Sequence, residues 1–138
     1  MERTLILVKP DGVRRALVGE VIRRFEARGL RLAALKMVLA GRDLVEKHYE
    51  EHREKPFYGS LVEYLTSGPV VAMVIEGPNA VQASRTMMGA TNALEAAPGT
   101  IRGDFALSIE ENIVHGSATP EDAQREVALW FSPDEIVS

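Results

Sequence analysis

The chain has 138 residues, of which 46% are hydrophobic and 26% charged, a composition typical of one globular domain. With 16 basic and 20 acidic residues the net charge is −4, so the protein has no overall attraction for nucleic acid or for an anionic membrane. The absence of cysteine excludes disulfides, a thiolate nucleophile and cysteine metal sites. We find no signal peptide and no apolar stretch of ~20 residues, and therefore predict a cytoplasmic protein with one domain over residues 1–138.

The first half of the chain predicts two strands and three helices. An apolar run over residues 5–8 predicts a central strand, which the turn sequence Lys9-Pro10-Asp11-Gly12 ends. Apolar residues at the i, i+3, i+4 and i+7 spacing from Val18 to Phe25 predict an amphipathic helix. The next predicted elements are a strand from about Leu30 after the stop at Gly29, a helix capped by Asp43, and a helix that begins at Pro56.

The second half predicts two more strands and two more helices. Residues 70–75 predict a buried strand, and Asn79 with Gln82 predicts a capping box for a helix that ends near Gly89. Residues 90–111 show no sustained period, which indicates a long functional loop or an unrecognised element. The last elements are a short strand over 113–115, a helix with Thr119 as cap and Pro120 at its first position, and a turn at Ser132. Taken alone, this alternation predicts a parallel α/β sheet.

Two polar residues stand out because of their apolar surroundings. His115 closes a short apolar run and precedes Gly116, so a strand tip could present its imidazole as a nucleophile. A half-buried structural histidine is the alternative interpretation. Glu126 lies within the apolar stripe of the last helix, and an inward carboxylate needs a partner unless it reaches solvent at the edge of the stripe.

The cations favour phosphate chemistry, although the common phosphate-binding motifs are missing. Arg85 and Arg102 offer planar forks suited to phosphate oxygens, and Lys9 offers a point charge at a strand end. Neither a G-x-x-x-x-G-K-[ST] loop nor a G-x-G-x-x-G motif is present. His48 and His52 are one helical turn apart, but no third ligand is placed to complete a metal site.

Over nearly its whole length the sequence resembles the nucleoside diphosphate kinases. The matching segments are residues 8–13 (VKPDGV), 17–20, 48–49, 55–57, 67–73, 88–89, 91–92, 98–105 (PGTIRGDF) and 112–117 (NIVHGS). The resemblance implies an α+β fold, a ferredoxin-like four-stranded antiparallel sheet covered by helices, instead of the parallel sheet. It also implies reversible transfer of the terminal phosphate from a nucleoside triphosphate to a diphosphate through a phosphohistidine on His115, which maintains nucleoside triphosphate pools.

The resemblance further assigns roles to individual residues of this chain. The implied nucleotide contacts are Phe57 on the base, Lys9 and Asn112 on the sugar hydroxyls and transferred phosphate, and Arg85, Thr91 and Arg102 on the phosphates, with Tyr49 and His48 close by. Glu126 and Ser117 would orient the imidazole. Magnesium would arrive with the nucleotide, so no protein metal site is expected.

The resemblance leaves some properties open. The family forms homo-oligomers, and a hexamer is favoured here over a tetramer. Ala118 stands where the family often has aspartate, so a capping role there is lost or passes to Thr119. The chain ends at Ser138, which fits the bacterial type. Two competing hypotheses are a ligand-binding module with a structural His115 and a phosphocarrier that a protein partner phosphorylates, whereas the acidic balance disfavours an RNA-binding module.

Overall fold

A four-stranded antiparallel sheet with the strand order β2-β3-β1-β4 forms the centre of the computed structural model, which describes residues 1–138. The strands are β1 (Glu2–Val8), β2 (Arg31–Val38), β3 (Val70–Gly77) and β4 (Val114–Gly116). The ferredoxin-like α+β fold implied by the resemblance is confirmed, and the parallel sheet predicted from alternation is wrong. Strands β1 and β2 do run parallel, since both are antiparallel to β3, but β3 lies between them. The helical connections from β1 to β2 and from β3 to β4 therefore join strands that are not neighbours, whereas β2 and β3 are adjacent.

Seven helices cover the two faces of the sheet. They are α1 (Pro10–Arg14), α2 (Val18–Ala27), α3 (Arg42–His48), α4 (Tyr58–Leu65), α5 (Ala80–Met88), α6 (Ile101–Phe105) and α7 (Pro120–Trp130). One core contains Phe25 of α2 and Met88 of α5, and the other contains Leu65 of α4 and Trp130 of α7. Alternate residues from Leu5 to Val8 of β1 enter opposite cores, which is why this part of the strand is apolar without interruption. None of the helices is long and apolar enough to cross a membrane.

Of the helix caps predicted from the sequence, the one at α7 is confirmed and the one at α5 is wrong. The Thr119 hydroxyl accepts a hydrogen bond from the Asp122 amide at 3.0 Å, which confirms the predicted cap of α7. Asn79 precedes α5 in a left-handed conformation (φ 51°) and makes no side-chain cap, so the predicted capping box is wrong. The Glu2 carboxylate instead accepts from the Val81 amide at 2.8 Å, a long-range cap from β1 that local spacing could not reveal.

Several element boundaries also differ from the predicted ones. Helix α3 begins one residue before Asp43, with Gly41 as its N-cap, and α4 begins at Tyr58, two residues after Pro56. The turn predicted after β1 contains the short helix α1. These shifts are small because the underlying apolar pattern is correct, and only the terminal residues were misassigned.

The segment 90–111 is not a continuous loop. It contains a 3₁₀ turn at Ala93–Glu95 and the helix α6, whose start is capped by the Thr100 hydroxyl accepting from the Gly103 amide at 3.0 Å. Five helical residues are too few to produce a recognisable period. The following strand is Val114–Gly116 instead of the predicted 113–115, and it pairs His115 with Leu7 of β1. This pairing places the histidine on the sheet face that carries α7.

Candidate active site

His115, Glu126 and Ser117 form a hydrogen-bonded group between β4 and α7. His115 Nε2 lies 2.9 Å from Glu126 Oε1, and the Ser117 hydroxyl donates to the same oxygen at 2.8 Å. Because the carboxylate oxygen accepts, the imidazole proton belongs on Nε2 and the lone pair on Nδ1. The His115 side chain keeps 21% of its surface exposed. The end of β4 thus presents the unprotonated Nδ1 of His115, because the hydrogen bond from Nε2 to Glu126 fixes the tautomer of the ring.

Glu126 is the inward carboxylate that the helical stripe indicated, and it is ionised. Only 3% of the residue is exposed. Burial raises the pKa of Glu126, but the hydrogen bond from His115, the electrostatic interaction with the His115 and His48 rings and the hydrogen bond from Ser117 outweigh burial and lower the pKa to about 2. The negative charge of Glu126 therefore lies next to Nε2 of His115, where it can stabilise a positively charged imidazolium.

His48 packs against His115 and is held neutral. Their ring centroids lie 4.5 Å apart, and Trp130 Nε1 donates to His48 Nδ1 at 3.1 Å. Burial is the main cause that lowers the pKa of His48 to about 3, because the charged imidazolium would lose its hydration. The Trp130 hydrogen bond leaves the proton on Nε2, which has no partner. His48, His115 and Glu126 are close enough to hold a metal ion, but this tautomer removes the lone pair that His48 would need.

A series of aromatic rings connects His115 to the exposed Phe57. The centroid distances are 4.7 Å from His48 to Tyr49, 6.3 Å from Tyr49 to His52 and 5.7 Å from His52 to Phe57. The Phe57 residue is 47% exposed, so its ring is available to a planar ligand. Burial and the charge of Glu126 raise the pKa of Tyr49, whose phenol therefore stays a donor.

Three cations beside the histidine have no carboxylate partner. Lys9 Nζ contacts the Glu110 carbonyl at 3.1 Å and Asn112 Oδ1 at 2.7 Å, and Arg85 Nη1 donates to the Gly116 carbonyl at 3.2 Å. Arg102 donates to the carbonyls of Gly89 (2.8 Å), Val114 (2.8 Å) and Asn112 (3.4 Å). Their uncompensated positive charge makes the surroundings of β4 a place for an anion.

The pKa values of two of these cations report how costly this arrangement is without an anion. Burial lowers the pKa of Lys9 to about 8, with Asp11 raising it and Arg102 lowering it further. Burial and the neighbouring charge of Arg85 lower the pKa of Arg102 to about 10. The negative charge of an incoming phosphate would stabilise the charged forms of Lys9 and Arg102, and this gain favours its binding.

Asn112 connects Lys9 to the segment that carries Thr91. Its amide nitrogen donates to the Thr91 carbonyl at 2.9 Å, while its amide oxygen accepts from Lys9. The Thr91 residue is exposed, so its hydroxyl is free to contact a ligand. The structure thus brings all of the site residues named from the sequence into one continuous region, with Phe57 at its outer edge.

Some residues of this region were not found by sequence reasoning. Trp130 fixes the tautomer of His48, but its position on the apolar stripe of the last helix does not distinguish it from an ordinary core residue. The sequence places Asp11 in a turn, but the residue is 1% exposed and accepts a hydrogen bond from the amide of Ile113, two residues before the histidine. The only available signal in the sequence is a carboxylate three residues after the end of a buried strand.

Comparison with known proteins identifies the family. The sequence model of the nucleoside diphosphate kinases matches residues 2–136. The chain belongs to the nucleoside diphosphate kinase family. It is 62% identical over 137 residues to the nucleoside diphosphate kinase of Thermus thermophilus, covering 99% of this chain and 100% of that one. It is 61% identical over 138 residues to that of Archaeoglobus fulgidus, covering 100% of this chain and 91% of the relative.

Solved structures of the family have the same fold. The nucleoside diphosphate kinase of Halobacterium salinarum, solved in complex with CDP, matches with a TM-score of 0.97 at 47% identity, covering 99% of this chain and 91% of that one. The family protein of Babesia bovis matches with a TM-score of 0.97 at 50% identity, covering 100% of this chain and 93% of that one. This nucleoside diphosphate kinase is a transferase that moves the terminal phosphate of a nucleoside triphosphate to a diphosphate, by a ping-pong mechanism through phosphohistidine.

Proposed function

We propose that His115 is the phosphorylated residue and that Glu126 and Ser117 orient it. The observation that carries this proposal is the hydrogen bond of 2.9 Å between His115 Nε2 and Glu126, which leaves Nδ1 as the free nucleophile. Nδ1 attacks the terminal phosphorus, a new N–P bond forms, and the bond to the bridging oxygen of the leaving diphosphate breaks. The imidazole gains positive charge in this step, and the Glu126 carboxylate stabilises it. The direct test is to trap the phosphoenzyme that forms with MgATP alone.

The cations hold the phosphates during the transfer. Lys9, Arg85 and Arg102 supply the charge that a metaphosphate-like transition state requires, and their contacts to fixed carbonyls orient them before the substrate arrives. We assign Tyr49 and Lys9 to the transferred phosphate. Because every step reverses with a different nucleoside diphosphate, a single set of cations serves both donor and acceptor.

The remaining residues hold the nucleoside. Phe57 stacks on the base, a contact that accepts any base because each has a π-face. Asn112 and Lys9 bind the sugar hydroxyls, and Thr91 joins Arg85 and Arg102 on the phosphates. Ribo- and deoxyribonucleotides of all bases are the expected substrates. His48, which is 2% exposed, contributes through His115 and Tyr49 instead of by direct contact with the nucleotide.

Magnesium fits this site only as part of the substrate. The single cluster of potential ligands offers two imidazoles and one carboxylate, whereas Mg²⁺ prefers six oxygen ligands. Glu126 is already engaged with His115 and Ser117. The ion would therefore be held by the nucleotide phosphates and water, where it neutralises phosphate charge.

We also propose that the single kinase domain over residues 1–138 assembles into a homo-oligomer in the cytoplasm, where its nucleotide substrates are found. Two separate surfaces expose large apolar side chains. Edge strand β2 and its end expose Leu35, Met37 and Leu39, and the segment before β4 exposes Leu94, Leu107 and Ile109. Two different interfaces support an assembly larger than a dimer, and we favour a hexamer over a tetramer, which sedimentation equilibrium would distinguish.

Glu126→Gln is expected to slow phosphorylation of the enzyme by MgATP roughly 10–100-fold, because the amide keeps the shape but removes the stabilising charge. The pKa of Glu126, lowered to about 2, means that its charge stabilises the fold above the unfolded-state pKa of ~4.3. That contribution is lost as the pH falls toward about 2. Acid unfolding of the wild type should therefore be steeper in this range than that of the variant. Glu121→Gln, on the exposed side of the same helix, should change neither measurement.

The affinity for ADP is expected to be constant up to about pH 8 and to weaken at higher pH, approaching tenfold per pH unit. Lys9 has its pKa lowered to about 8 by burial, so the free enzyme loses this charge in that range, whereas phosphate binding requires it. Calorimetric titration between about pH 7 and about pH 9 measures the effect. Lys9→Arg stays protonated, so its affinity should be flat, and a flat wild-type profile would contradict the assignment.

A further inference from the structure

Ile113 has a backbone conformation that its side chain disfavours. Its φ angle is +75°, and it is one of only three non-glycine residues with positive φ. The left-handed region is a genuine outlier for a β-branched residue, because Cβ crowds the backbone. Ile113 is fully buried and lies between Asn112 and the strand that carries His115. Such strain persists only where the surroundings impose it.

Three backbone contacts impose this conformation. The Val114 amide donates to the Asn112 carbonyl at 2.8 Å, which closes a three-residue turn with Ile113 at its centre. The Ile113 carbonyl accepts from the Lys9 amide at 2.8 Å. The Ile113 amide donates to Asp11 Oδ2 at 3.1 Å. Of these partners only the Asp11 carboxylate is a side chain, and it is the group that can be removed without altering the backbone.

Asp11 is itself held in place by Tyr64 of α4. The Tyr64 hydroxyl donates to Asp11 Oδ1 at 2.5 Å and accepts from the Asp11 amide at 2.9 Å. Burial and the hydrogen bond to Asp11 raise the pKa of Tyr64, so its phenol remains a donor at every physiological pH. One carboxylate oxygen therefore faces Tyr64 and the other faces Ile113, and the carboxylate cannot rotate without losing both bonds.

The neighbouring glycine allows Asp11 to come this close. A Cβ atom on Gly12 would lie 2.7 Å from Val8 Cγ1 and 3.1 Å from both the carbonyl oxygen and Cγ2 of Ile113. The first turn of α1 therefore packs directly on the strained residue. Asp11 and Gly12 together clamp Ile113 from one side.

We propose that Asp11, fixed by Tyr64, is a positioning residue that holds Ile113 in its strained conformation and thereby sets Asn112 and His115 relative to the phosphate-binding cations. This inference rests on the proposed role of His115. The turn at Ile113 orients Asn112 toward Lys9 on one side and His115 toward Glu126 on the other. Arg102 bonds to the carbonyls that flank Ile113 on both sides. A return of Ile113 to negative φ would rotate these groups apart.

The test is the rate of phosphoenzyme formation at saturating MgATP. Asp11→Ala leaves the buried Ile113 amide without a partner, and we expect the turn to relax and the rate to fall about 100-fold. Asp11→Asn should recover most of this rate, because its amide oxygen accepts from Ile113 and its nitrogen donates to Tyr64. Tyr64→Phe keeps the ring but frees the carboxylate, and it should slow the reaction about tenfold, which provides a second measurement if Asp11→Ala does not fold.

A control separates positioning from general loss of stability. Val21→Ala, in α2 and 1% exposed, should lower the melting temperature without slowing phosphorylation of the folded enzyme. Unchanged rates in Asp11→Ala or Tyr64→Phe would overturn the inference, as would an Asn variant as slow as the Ala variant. If the wild type forms no phosphoenzyme, the proposed role of His115 fails instead, so the two failures are distinguishable.

Discussion

Incubated with MgATP and no second nucleotide, the protein is expected to become stoichiometrically phosphorylated on His115, and His115→Ala is expected to take up no phosphate. With MgATP in large excess, the ADP released in the first half of the reaction is too dilute to discharge the phosphoenzyme, and no other acceptor is present. His115 Nδ1 is free, its tautomer is fixed by Glu126, and Lys9, Arg85 and Arg102 bring uncompensated positive charge to the same region. No cysteine is present that could act as an alternative nucleophile.

The stability of the modification identifies the residue that carries it. A phosphoramidate on histidine is labile to acid and stable to base, whereas a phosphate ester on Ser117 has the opposite stability. Added GDP or a deoxynucleoside diphosphate should discharge the phosphoenzyme and yield the matching triphosphate. His115→Ala should still bind ADP with an affinity close to that of the wild type. Such a result would show that the variant lacks the nucleophile and has not lost the nucleotide-binding site. A base-stable, acid-labile phosphate that persists in His115→Ala would place the nucleophile elsewhere.

The strands could be predicted from the sequence, but their arrangement could not. Runs such as residues 70–75 are apolar on both faces, and this pattern alone predicts a buried strand. Two helical connections skip a position in the sheet: β3 lies between β1 and β2, and β1 lies between β3 and β4. The sequence pattern does not show which strand occupies each skipped position. The alternation is the same whether β3 lies beside β1 as a parallel strand or between β1 and β2 as an antiparallel one. The resemblance supplied this order, whereas the pattern did not.

At the candidate site, sequence reasoning found the residues whose chemistry conflicts with their surroundings. Glu126 on an apolar stripe indicated either a buried partner or a side chain that reaches solvent, and the structure shows the partner, because His115 lies 2.9 Å away. Residues that act through backbone geometry gave no such signal. Asp11 follows a strand as many turn residues do. The positive φ of Ile113 could not be predicted from the sequence, because isoleucine rarely adopts this conformation. Trp130 also looked like an ordinary core residue, although its indole nitrogen fixes His48.

Gly103 packs against the backbone of Ala97 and leaves no room for a side chain. A Cβ atom there would lie 2.0 Å from the Ala97 carbonyl oxygen, 2.6 Å from its carbon and 2.8 Å from the Thr100 hydroxyl. Two of these atoms belong to backbone, which cannot move aside as the end of a flexible side chain can. Because Arg102 is the preceding residue in α6, any displacement of this helix moves the guanidinium that bonds to Val114 beside His115.

Gly103→Ala is therefore expected to destabilise the protein by about 3 kcal/mol and to lower its melting temperature by roughly 10 °C. The displaced Arg102 should also slow phosphoenzyme formation at saturating MgATP by about 100-fold. Gly59→Ala is the matched control, because Gly59 is also helical but has no atom within 4 Å of an added Cβ. That substitution should stabilise the protein by about 0.5–1 kcal/mol through helix propensity and leave phosphorylation unchanged. Thermal unfolding and single-turnover kinetics of both variants measure these effects. If Gly103→Ala is as stable and as fast as Gly59→Ala, the turn at Ala97 adjusts to the added Cβ without moving Arg102, and the prediction is wrong.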